Sequence, residues 1–159
     1  MKYVKNSNRI GFDLDNTTLN YNLAAIDFAT LHTNYSAFTS LQALKKSSQH
    51  LNEWVDVQSW IYAVGIHKAV FEDTFLKTLK TLLRRGFLVN LVSHKTQNPN
   101  PSKYLPNGVD FNLRNIALTR LEQLGLFEFL DQKSIMFCDS LENKIEVIKN
   151  LNLTYYNKM

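Results

Sequence analysis

Three short apolar runs of this chain stop abruptly on polar side chains, and that pattern constrains its fold most. Residues 9–14 read Arg-Ile-Gly-Phe-Asp-Leu and lead into Asp15. Residues 87–92 read Phe-Leu-Val-Asn-Leu-Val and run into Ser93-His94-Lys95-Thr96. Residues 134–138 read Ser-Ile-Met-Phe-Cys and stop at Asp139. Short apolar runs of this kind suit strands buried on both faces. Helical patterns alternate with them at 71–85, 112–124 and 141–151, and 153–156 reads as a fourth strand. In the pattern at 71–85, Glu72 and Asp73 fall in the first turn, and Gly86 follows as a C-terminal cap. Alternation of this kind predicts an α/β fold, a Rossmann-like three-layer sandwich around a parallel sheet. Ligands of such sheets gather beyond the carboxyl ends of the strands, where Asp13, Asp15, Ser93 and Asp139 stand.

Asp13 and Asp15 are spaced i, i+2, so at a strand end both carboxylates point to one side. Adjacent carboxylates repel unless a cation or proton intervenes. A hard divalent ion such as Mg²⁺ relieves that repulsion and accepts phosphate oxygens as further ligands. One acid is then placed to attack phosphorus, and the other to move a proton. A solvated turn with helix-capping acids is the other reading of an isolated Asp-x-Asp pair.

Composition bounds the rest. The 159 residues are 45% apolar and 20% charged, which fits one domain with a real core and excludes a disordered chain. No run reaches membrane-span length, and Met1 to Arg9 lacks the apolar segment of a signal peptide. A cytoplasmic protein without a membrane partner is expected. The net charge of +4 is scattered rather than drawn into a stripe or arm, which argues against nucleic acid as a partner. The single Cys138 cannot form an internal disulfide, and it reads as buried rather than reactive.

Between Asp13 and Ser93 lies far more chain than one crossover helix needs. Helical patterns at 21–32 and 41–66, the second broken at Ser47-Ser48 and ended by Gly65, fill that interval. We expect a helical cap at 18–68, inserted into an α/β core of residues 1–17 and 69–159. Trp54, Gln58 and Tyr62 recur every fourth residue on one helix face, and with Tyr21 they are candidates to face a substrate. Trp54 and Tyr62 equally suit a core role.

Gly11-Phe-Asp-Leu-Asp-Asn-Thr-Thr-Leu19 resembles the first motif of the haloacid dehalogenase superfamily, Asp-x-Asp-x-Thr after an apolar strand. Trp54, Gln58, Tyr62, the Ser-His-Lys-Thr run at 93–96, Asp110-Phe-Asn-Leu-Arg114 and Glu142-Asn-Lys-Ile145 extend the resemblance to a branch marked by that second motif. The resemblance implies a Mg²⁺-dependent phosphatase of a small phosphorylated metabolite, with a sugar phosphate as the branch's hint. It implies Asp13 as nucleophile, Asp15 as general acid/base and Ser93 as a phosphoryl-binding hydroxyl. Lys144 is the first choice for the lysine of the third motif and Lys95 the second. Asn16, Thr17, His94, Lys95 and Gln58 are candidate substrate contacts.

Asp13, Asp15 and Asp139 are the candidate metal ligands. For the last of these, two alignments remain. In one, Asp139 follows a strand lying beside the first. In the other, the acids follow 153–156, where the chain reads Asn157-Lys158-Met159. A binding or assembly protein on the same fold, and phosphoryl transfer to an acceptor other than water, are the rival functions. The oligomeric state is not legible.

Overall fold

The computed structural model describes residues 8–35 and 38–157. Residues 1–7 of the leading segment, and Lys158 and Met159 of the second alignment for the metal acids, lie outside them. A four-stranded parallel sheet forms the centre. The strands are β1 (Arg9–Phe12), β4 (Leu88–His94), β5 (Ile135–Cys138) and β6 (Tyr155–Asn157). Phe12 pairs with Leu91 and Asn157, so β4 and β6 flank β1. His94 pairs with Cys138, which puts β5 outside β4. Gly11 lets β6 and its approach lie close to β1: a Cβ there would stand 2.5 Å from Leu153 Cδ1 and 2.8 Å from Tyr156 Cδ2.

A second, two-stranded antiparallel ladder joins β2 (Leu19–Asn20) to β3 (Val70–Phe71). Between these strands run α1 (Asn22–Leu31), α2 (Leu41–His50), α3 (Trp54–Ala63) and a short 3₁₀ turn, Gly65–Lys68. The helices α4 (Phe75–Arg84), α5 (Leu113–Gln123) and α6 (Leu141–Asn150) follow β3, β4 and β5. Ser40, Asn112 and Ser140 cap α2, α5 and α6 through their side-chain oxygens. Both α4 and α6 pack on β4. One apolar cluster runs from Phe12, Leu91 and Leu79 of the sheet region into Phe28, Leu44 and Trp60 of the inserted helices.

Three local expectations change. The helix predicted at 71–85 starts at Phe75, because Phe71 is spent on the ladder with Leu19. Glu72 and Asp73 therefore precede the helix instead of filling its first turn. Ser47-Ser48 does not break α2: the Ser48 hydroxyl donates to the Lys45 carbonyl within the helix. The turn comes at Asn52, whose φ of 56° lies in the left-handed region that asparagine tolerates.

Candidate active site

The loop leaving β1 is held by its own backbone. Asp13 N donates to Asn157 O at 3.0 Å, Thr18 Oγ1 donates to Asp13 O at 2.9 Å, and Leu19 N donates to Leu14 O at 2.9 Å. Asn16, at φ 62°, makes the tight turn possible. The loop stands where the parallel strands end, with Asp13 beside β6 and Asp15 toward β4.

Each carboxylate has its own buried lysine. Lys144, in the first turn of α6, donates from Nζ to Asp13 Oδ1 at 2.7 Å. Lys144 is only 4% exposed, and its ammonium lies 5.7 Å from the centre of the Tyr156 ring. The same Asp13 oxygen accepts the Leu14 N–H at 2.9 Å. Asp15 Oδ2 lies 3.1 Å from Lys95 Nζ, and Ser93 Oγ donates to it at 3.4 Å. Asp15 Oδ1 takes a 2.5 Å bond from the Tyr21 hydroxyl. Burial first, then the Asp15 charge, pushes that phenol well above its ordinary range, so Tyr21 stays a donor.

The other expected residues are dispersed around this centre. Asn16 is exposed and, with Tyr21, Lys45, Trp54, Gln58 and Tyr62, lines a cavity of about 380 Å³. Gln58 and Tyr62 also line a neighbouring space of about 160 Å³ with His94 and Lys95. Gln58 Nε2 donates to the Tyr62 hydroxyl at 3.5 Å. Thr17 is buried. His94 is exposed, with Nε2 3.2 Å from the backbone oxygen of Asp139. Burial pushes the Cys138 thiol up from its ordinary range, which suits a structural role.

Asp139 corrects the sequence reading. Its strand pairs with β4 and not with β1, so the premise of a strand-end acid beside the first strand fails. Its side chain is 78% exposed and ion-paired to Arg114. The strand on the other flank of β1 is β6. Among the described residues, no group of three His, Cys, Asp or Glu side chains is placed to hold a metal. Both acids of the pair are instead occupied by ammonium groups. Mg²⁺ takes one or two protein carboxylates beside water and substrate phosphate oxygens, so Asp13 and Asp15 are the residues that would hold it, and no step below passes through the ion.

Sequence reasoning treated Lys95 and Lys144 as alternatives, whereas the structure brings both to the acid pair. It also had no signal for Thr18 closing the loop, or for Tyr156 beneath Lys144, whose hydroxyl donates to Val92 O at 3.1 Å.

No protein-family model matches the sequence, and no curated protein matches it. Solved structures do resemble the fold. A haloacid dehalogenase family hydrolase from Deinococcus radiodurans R1, with bound phosphate and sodium, superposes with a TM-score of 0.56. The match covers 92% of this chain and 68% of that one at 12% identity. The fold is that of the haloacid dehalogenase hydrolases. A haloacid dehalogenase-like hydrolase from Streptococcus pneumoniae is similar at TM-score 0.52 and 16% identity, covering 92% of this chain and 70% of its own. A structure described as a predicted phosphatase from Clostridium acetobutylicum gives TM-score 0.52 at 17% identity, with 92% and 71% covered. At these identities the likeness establishes the architecture. Among the described residues no helix is long and apolar enough to cross a membrane.

Proposed function

We propose that the chain is a phosphohydrolase of small phosphate monoesters that works through an aspartyl-phosphate on Asp13. The observation that carries this reading is the buried 2.7 Å contact between Lys144 Nζ and Asp13 Oδ1. A bare carboxylate would repel an anionic phosphoryl group. A fixed ammonium on one oxygen offsets that repulsion and leaves the other oxygen to attack. The new bond joins Asp13 to phosphorus as the ester P–O bond breaks. Asp15, two residues on, is the group that in its protonated form would give a proton to the departing oxygen. In the second half, Asp15 takes a proton from water as that water attacks phosphorus, and phosphate leaves with Asp13 restored. Ser93 Oγ, which donates to Asp15 Oδ2 at 3.4 Å, would turn its hydroxyl to a phosphoryl oxygen when substrate binds.

The inserted helices form the cap of this reading. The 380 Å³ cavity they share with Asn16 suits a small leaving group with hydrogen-bonding substituents, rather than a nucleic acid. Hydrolysis of p-nitrophenyl phosphate by the purified chain, with and without added Mg²⁺, tests the proposal. Turnover is expected in the parent, with a loss of more than about 10³-fold in Asp13→Asn because the nucleophile is gone. Turnover undiminished in Asp13→Asn would refute the mechanism.

A further inference from the structure

Lys95 is the least satisfied buried cation of the site. Its backbone is pinned on both sides: its N–H donates to Cys138 O at 3.1 Å, and its carbonyl accepts from Arg114 Nε at 2.9 Å. Its side chain is 1% exposed. The ammonium lies 3.1 Å from Asp15 Oδ2 and 3.8 Å from the centre of the Tyr62 ring. None of its N–H groups, however, makes a hydrogen bond among the described residues. An ammonium carries three donors, and leaving them unmade out of water is costly. Lys144 differs, because one of its donors is already given to Asp13. Lys95 also lines the 160 Å³ space with His94 and Gln58, and it shares Asp15 Oδ2 with Ser93 Oγ.

We propose that Lys95 is a second receptor for phosphoryl oxygens, seated by the face of Tyr62 and acting in addition to Lys144. A tetrahedral phosphate presents several oxygens at once, so it can meet Ser93 Oγ and the unspent donors of Lys95 together. Tyr62 is then a positioning residue. Its ring attracts the ammonium without offering an acceptor lone pair that would compete with the anion. The seat lies on α3, so an inserted helix helps to build the anion site as well as the cavity for the leaving group. This inference rests on the phosphohydrolase reading and extends it to a residue and a contact outside the paired Asp13–Lys144 centre.

Calorimetric titration of the full chain with inorganic phosphate tests it. Lys95→Met is expected to weaken phosphate by about tenfold or more, the worth of a charge-assisted hydrogen bond. Tyr62→Leu is expected to weaken it in the same direction. Tyr62→Phe, which keeps the ring and removes only the hydroxyl, is expected to stay within about twofold of the parent. If Lys95→Met does not fold, as judged by its thermal transition, the Tyr62 pair carries the test. Folded Lys95→Met that binds phosphate like the parent overturns the proposal, as does equal binding by the Leu and Phe variants. A parent that hydrolyses esters while Lys95→Met binds phosphate normally removes this inference alone. A parent that binds phosphate through Lys95 without hydrolysing esters removes the phosphohydrolase reading instead, and one that binds no phosphate removes both.

Discussion

Replacing Lys144 by methionine keeps the length of the side chain and deletes the charge that faces Asp13. The two groups meet at 2.7 Å, with side chains 5% and 11% exposed. At that distance an effective dielectric of about 20 gives a gross attraction of about 6 kcal/mol. Desolvation of the ammonium, which the variant no longer incurs, returns part of this. Asp13 also keeps the Leu14 N–H on the same oxygen. A net loss of about 3 kcal/mol is therefore expected, at the lower end for a broken buried pair. For a chain of this size that corresponds to a fall of about 6–12 °C in Tm. Asp13→Asn strands the ammonium in the same way and should cost a similar amount. The informative quantity is the double variant. With both charges gone, neither is left unpaired, so its loss should fall short of the sum of the single losses by about 2 kcal/mol or more. Urea unfolding of the four proteins, extrapolated to water, measures the cycle. Additivity within about 0.5 kcal/mol would refute the argument, because independent sites add to that precision.

Two further outcomes follow from contacts outside the acid pair. Gly11→Ala forces a Cβ onto Leu153 Cδ1 and Tyr156 Cδ2, and should cost about 1–3 kcal/mol in urea unfolding; an unchanged midpoint would mean β6 does not depend on that close approach. Glu53 accepts from Lys103, Tyr35 and Tyr104, which ties the loop after β4 to the inserted helices. The Lys103 hydrogen bond first, then that of Tyr35, holds its carboxyl down at about 2 from an ordinary 4.5. A depressed folded value means that this stabilisation is present above pH 4.5 and is lost as the pH falls toward 2. The parent's Tm should therefore drop more steeply than that of Glu53→Gln across this window, and parallel curves would count against the clasp.

The parts of the fold legible in the sequence were those with a local signature. The apolar runs at 9–14, 87–92 and 134–138 became β1, β4 and β5 with small shifts at their ends. The spacing of Asp13 and Asp15 placed both acids in the loop that leaves β1. The ladder of Leu19–Asn20 with Val70–Phe71 was not legible, because two residues carry no period. The position of Asp139 was not legible for a different reason. Its place after an apolar strand is local, but the identity of that strand's neighbours is a property of the whole sheet. The use of both lysines depends on the same sheet order. Lys144 reaches Asp13 from the helix after β5, and Lys95 reaches Asp15 from the end of β4.

The ladder between β2 and β3 has a consequence for how such a chain can change. The inserted helices leave and return through two facing residue pairs, Leu19 with Phe71 and Asn20 with Val70. The ends of the excursion are thus fastened to each other, whatever its contents. Lengthening a segment whose ends are already joined adds an entropy cost that grows only with the logarithm of its length. Residues added in a turn between these helices therefore add little to the closure cost, while the helices themselves stay tied to the core through Phe28, Leu44 and Trp60. On the proposed reading, the groups that would choose a substrate and the groups that would act on phosphorus meet where Tyr62 lies against Lys95 and where Tyr21 bonds to Asp15.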